Sequence, residues 1–175
     1  MKSIRLQVAF ESQVDNATGT GWRECFSSSC AMLARYHERV RNDDEYNAIR
    51  ANYGDTTNPV AQLQALRFLG LKAHFWTNGR KEDLLNELRG GRPVAVGWLH
   101  RGHVSNPSGG GHWSVAVGTW ERGVLMHDPQ GEAFLVSGGH AWRSAGAYLP
   151  YSWQNWLPRW EVEGSRTGWY LTCSR

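Results

Sequence analysis

A chain of 175 residues with 41% hydrophobic side chains is long enough to bury a substantial core and short enough for one domain, expected to span 1–175. The net charge of +3 is mild, and its 19 Lys and Arg are scattered among 16 Asp and Glu, which argues against a nucleic-acid partner. Three cysteines without metal spacing exclude a disulfide framework and a Cys-rich zinc site, and no apolar run is long enough to insert into a membrane.

Residues 1–10 interrupt their apolar side chains with charge too early for a secretory signal, so a soluble protein made in a reducing cytoplasm without a signal peptide is expected. The first predicted helix begins at Cys25 and carries an apolar stripe of Phe26, Cys30, Leu33, Tyr36 and Val40. Asp43-Asp44 can cap a second helix through Tyr46 and Ile49 to Gly54. Asn58 followed by Pro59 is a cap with proline at the first helical position, and Leu63, Leu66 and Leu69 continue that helix to Gly70. A strand over residues 71–76 precedes a short helix with Leu84, Leu85 and Leu88 that ends at Gly90-Gly91. From Pro93 the pattern changes to strands, over 94–99, 112–120, 123–127 and 133–136, with a last one near 169–173. Helices segregated from a mainly antiparallel sheet make an α+β fold. Residues 138–175 form a Trp-rich extension with Trp142, Trp153, Trp156, Trp160 and Trp169, which either completes the core and caps the sheet or offers a sugar- or peptide-binding platform.

Cys25, His112 and Asp128 follow one another in contexts that suit a thiol hydrolase. A thiolate is the reactive form of cysteine, and a helix N-terminus together with an imidazolium stabilises it. His112 enters its strand from a glycine loop and Asp128 ends the next strand, so two adjacent strands can hold a base beside its orienting carboxylate. Cys30 and Cys173 read as small buried hydrophobes. His127, one residue before Asp128, points to the opposite face by strand alternation. The gap between His100 and His103 suits zinc, but no further ligands complete a set, so neither metal nor cofactor is expected. The glycine-rich stretch 102–111 is either a substrate-facing loop or a plain connector.

The Cys25 helix resembles the Cys-Gly-Pro-x-x-x-Ala-Met segment of papain-like cysteine peptidases related to the bacteriocin leader (double-glycine) peptidases, with Cys25, Ala31 and Met32 at matching offsets. Phage and bacterial relatives share the Gln-x-Asp-Asn pattern seen at Gln13-Val14-Asp15-Asn16 and the Gly-His-aromatic strand followed by Asp-Pro. Phe26-Ser27 replaces the usual Gly-Pro, and Gln13 lies further upstream of Cys25 than in such enzymes, so the intervening loop must fold back. The resemblance implies a papain-like fold whose nucleophile helix packs on the sheet, a Cys25-His112-Asp128 triad, Gln13 as an oxyanion-hole donor, and Asn16 and Trp113 as substrate contacts. It implies a peptidase acting on a peptide or peptidoglycan substrate, with a phage endolysin-type peptidoglycan endopeptidase as the leading expectation. A free-standing double-glycine leader peptidase is the alternative enzyme. A catalytically silent peptide- or glycan-binding module and a zinc amidase complete the possibilities.

Overall fold

The structure, a computed structural model, describes residues 3–142 and 145–175; residues 1–2 of the charged N-terminus and 143–144 of the Trp-rich stretch lie outside it. In chain order the elements are β1 (Ile4–Arg5), a 3-10 turn (Gly21–Arg23), α1 (Cys25–Tyr36), α2 (Asp43–Arg50), α3 (Pro59–Phe68), β2 (Lys72–Gly79) and α4 (Lys81–Arg89). They continue with β3 (Val94–Trp98), β4 (His112–Trp120), β5 (Gly123–His127), β6 (Leu149–Ser152), α5 (Trp153–Trp160) and β7 (Gly168–Ser174). The strands form one sheet in the order β2-β7-β3-β4-β5-β6, and β1 pairs β4 at Ile4 opposite Thr119. Every pairing is antiparallel.

Successive residues of a strand point to opposite faces, and here both faces are covered. Ala95, Val115, Val117 and Leu171 meet α1, α2 and α3 through Phe26, Met32, Leu33, Tyr46 and Leu66. Val94, Val96, Ala116 and Tyr170 meet α4 and α5 on the other side, through Leu84, Leu88, Trp156 and Trp160. This is why β4 is buried from His112 to Thr119 and reads as a near-continuous apolar run rather than an alternating one. The α+β expectation is met, with helices layered on both sides of an antiparallel sheet.

Local sequence chemistry accounts for most helix starts. Asn58 caps α3 with Pro59 at its first position, as expected. The cap of α2 is Asn42, whose side chain accepts from the Glu45 amide, while Asp43 and Asp44 lie in the first turn. Residues 133–136 are not a strand: Ala133 makes one isolated bridge to His140, and the chain reverses at Gly138 and Gly139, both with positive φ. The Trp-rich stretch is part of the fold and not an added layer, because β7 lies inside the sheet between β2 and β3. Trp156 and Trp160 are buried and stacked, whereas Trp142 and Trp169 are exposed.

Candidate active site

Cys25 is the first residue of α1, and the residue before it, Glu24, makes no side-chain cap. The first-turn amides of a helix have no intrahelical acceptor, so donors here remain available beside the thiol. The buried Glu24 carboxylate is instead held by Asn16 Nδ2 at 2.8 Å, Thr18 Oγ1 at 2.7 Å and Thr20 Oγ1 at 3.3 Å. Those contacts tie loop 14–20 back against the start of α1. Cys25 is half-buried, whereas Cys30 and Cys173 are sealed in the core, where burial pushes Cys30 well above the ordinary thiol range and Cys173 up to about 12.

His112 opens β4 opposite Trp98, and Asp128 follows directly on β5. Antiparallel pairing of Val115 with His127 places these two strand ends side by side. His112 Nε2 donates to Asp128 Oδ1 at 2.7 Å, which leaves Nδ1 as the ring nitrogen available to the neighbouring Cys25 thiol. Asp128, fully buried, also receives His140 Nε2 at 3.1 Å and the Tyr151 hydroxyl at 2.8 Å on Oδ2, and the Gln130 amide at 3.2 Å on Oδ1. Burial alone would raise its pKa, but the His112 charge and the hydrogen bonds from both histidines hold it well below the usual carboxylate range. Burial likewise opposes a charged His112, yet the Asp128 charge and hydrogen bond, with help from Cys25, push it up to about 10. His100 is pushed down to about 3, by burial and then by the neighbouring histidines, and burial also lowers His140. One protonated imidazole thus stands between a thiol and a carboxylate, with neutral imidazoles behind it.

Gln13 lies where the folded-back loop brings it. Its amide N–H donates to Pro129 O at 2.9 Å and its side-chain Nε2 to Gly21 O at 3.0 Å, so it bridges the segment before Cys25 and the segment after Asp128. A Cβ on Gly21 would meet the Gln13 carbonyl oxygen at 2.0 Å, so only glycine permits this approach. Gln13 is fully buried, and its Oε1 has no partner.

Two expected substrate contacts are placed elsewhere. Trp113 stacks on Phe26 with ring centroids 3.7 Å apart and lies against Gly97, so it packs α1 on the sheet and turns no face outward. Asn16 anchors Glu24 and approaches Ser28 Oγ at 3.4 Å, which makes it a brace for the loop behind Cys25. His127 points away from Asp128 as alternation demands, with Nε2 on Val8 O at 2.8 Å. His103 turns to Ser105, while His100 joins His140 with their Nδ1 atoms 3.2 Å apart. Sequence reasoning missed His140 and Tyr151. Gly138-Gly139-His140 repeats the glycine-entry pattern of His112 and was the available signal, but nothing local marks Tyr151.

A thiol set beside an imidazolium that is hydrogen-bonded to a carboxylate can form a thiolate, attack a carbonyl and return a proton to a leaving amine. No helix among the described residues is long and apolar enough to cross a membrane. No curated protein sequence matches the chain. A putative C39-like peptidase from Bacillus anthracis has a similar fold, with a TM-score of 0.62 at 15% identity over 100% of this chain and 98% of that one. So does the peptidase domain of Streptococcus ComA, a bifunctional ABC transporter involved in a quorum-sensing pathway, with a TM-score of 0.63 at 14% identity over 96% and 98%. A double glycine motif protease from an AMS/PCAT transporter, solved in complex with the leader peptide, gives 0.59 at 20% identity over 99% and 97%. The family described as papain-like cysteine protease AvrRpt2 matches residues 2–136, and the chain belongs to that family of cysteine peptidases.

Proposed function

We propose that Cys25 is the nucleophile, His112 the base and Asp128 the orienting carboxylate of this peptidase, and that its substrate is an extended polypeptide processed in the manner of a leader peptide. The observation that carries the reading is the buried hydrogen bond of His112 Nε2 to Asp128 Oδ1 at 2.7 Å, set beside Cys25 at the start of α1. The Cys25 thiolate adds to the scissile carbonyl carbon. The tetrahedral intermediate collapses to a thioester as His112 gives its proton to the departing amine. Water, deprotonated by His112, then releases the acid and restores the thiol. The developing oxyanion is met by first-turn amides of α1 and by the Nε2 proton of Gln13 not used by Gly21 O, each such donor being worth about 10² to 10³ in rate.

The polypeptide reading is favoured over peptidoglycan on two grounds. The proteases of similar fold include one solved in complex with a leader peptide, and Trp156 and Trp160 of the Trp-rich stretch are spent in the core rather than on a glycan platform. Wild-type and Cys25→Ala protein, incubated separately with a double-glycine leader peptide and with purified peptidoglycan, should be compared by mass spectrometry. Cleavage of the peptide by wild type alone is expected. New amines from the wall polymer with the peptide left intact would make the protein a wall endopeptidase, as in phage lysis enzymes. Binding without cleavage of either, and no preferential alkylation of Cys25, would make it a silent binding module.

A further inference from the structure

Proton transfer between Cys25 and His112 needs one imidazole, yet three cluster here, two of them on Asp128 and the third, His100, against His140. One ring nitrogen from each of His100, His112 and His140 lies within 4.8 Å of the other two. Asp128 takes Nε2 of both His112 and His140, so both rings are fixed with Nδ1 directed away from the carboxylate. A carboxylate behind a histidine is how proteins orient imidazoles toward a metal ion. With Zn–N bonds of about 2.0 to 2.1 Å, tetrahedral ligand atoms lie about 3.3 to 3.4 Å apart. His100 Nδ1 and His140 Nδ1 are already 3.2 Å apart, and His112 has to swing its Nδ1 from Cys25 toward them.

The surroundings hold this arrangement in place. Arg159, fully buried, donates to the carbonyl oxygens of Leu99, Arg101 and Gly102 on one segment and of Leu135 on the other. The Gly139 amide donates to His100 O at 2.7 Å, and a Cβ on Gly138 would lie 2.4 Å from Gly102 O. The segments carrying His100 and His140 are therefore locked backbone to backbone, and the Trp98 ring packs against all three imidazoles as an apolar wall.

We propose that His100, His112 and His140 bind one Zn²⁺ ion, with Asp128 as the carboxylate behind two of them, and that the bound ion takes His112 out of the thiol chemistry and so silences the peptidase reversibly. Imidazole donors suit zinc and its transition-metal neighbours rather than magnesium or calcium. As the ion enters, the Nδ1 proton shared between His100 and His140 is exchanged for one on His100 Nε2, the imidazolium of His112 releases its Nδ1 proton, and the fourth position falls to water. The binding half stands on the geometry alone; the silencing half rests on His112 being the base.

The test is calorimetric titration of zinc chloride into untagged, metal-free protein, with circular dichroism to check folding. One ion per chain is expected for wild type and for Cys25→Ala, with affinity weakened by about 10-fold or more in His100→Gln and in His140→Gln. If His140→Gln fails to fold, His100→Gln decides, because His100 bonds His140, while the Asp128 carboxylate is held by His112, His140, Tyr151 and the Gln130 amide. Absence of binding, binding lost only in Cys25→Ala, or wild-type affinity in His100→Gln each overturns the site. Leader-peptide cleavage should fall at saturating zinc and return with chelator. Unchanged or increased cleavage in zinc overturns the silencing, while the calorimetry reports the site even if no peptide is cut.

Discussion

Replacing Asp128 by Asn keeps the shape of the site and removes its charge. His112 is raised from 6.5 to about 10, and at about 1.4 kcal/mol per pKa unit this corresponds to about 5 kcal/mol favouring the imidazolium, net of the burial that opposes it. Without the carboxylate charge, burial becomes the dominant influence and His112 should fall below its ordinary value. The imidazolium fraction at pH 7 then drops from nearly complete to about a quarter or less. A histidine raised on folding contributes stability in full below its unfolded pKa and loses it as pH rises through the folded value. The wild type should accordingly lose up to about 5 kcal/mol of this stabilisation between pH 6.5 and about pH 10, counted once for the shared Asp128–His112 interaction. Asp128→Asn should show little of that alkaline loss. Urea unfolding at the two pH values measures it, and iodoacetamide labelling of Cys25 at pH 7, followed by mass spectrometry, reads the thiolate without needing a substrate. Labelling should slow by about 10-fold, with buried Cys30 and Cys173 unlabelled in both proteins. Turnover should fall by about 10² to 10⁴. A variant that labels at the wild-type rate and retains the wild-type alkaline loss would refute the assignment of Asp128.

Tyr151→Phe removes both a donor to Asp128 and the acceptor of the buried Ala133 amide, so chemical denaturation should show a loss of about 1 to 3 kcal/mol. Gln13→Ala should lower kcat by about 10² with KM little changed, and steady-state kinetics that show a pure KM effect would remove Gln13 from the oxyanion site. Asp43 is raised to about 7, by burial first and by the Glu11 charge next, so its ionised form costs stability as pH rises from about 4 through 7. Asp43→Asn should be neutral near pH 4 and stabilise by up to about 4 kcal/mol above pH 7, read from thermal or urea unfolding at both values.

The helices of the N-terminal half were legible because their signals are local: Asn58-Pro59 starts α3, and the Cys25 stripe repeats at helical spacing. Cys25, His112 and Asp128 were legible for a related reason, since each sits at the end of an element and the β4–β5 hairpin that joins two of them is short in sequence. The face each helix covers was not legible, because an amphipathic stripe says that a helix packs and not on which side of a two-faced sheet. Helix α5 went unread although Ser152 caps it and Trp153, Trp156 and Trp160 share one side, because Pro158 inside it breaks the local pattern. Residues 133–136 are a short apolar run that reads as a strand, but the reversal at Gly138 and Gly139 ends the pairing after one bridge. That same reversal carries His140 back to Asp128, where Tyr151 arrives from β6. Sequence alone pointed to a cysteine peptidase, since the proposed nucleophile, base and carboxylate sit at element ends that local signals mark. Only the tertiary structure decided that Asp128 is shared by two imidazoles and a phenol, because that depends on a register between strands and turns that no neighbouring residue encodes.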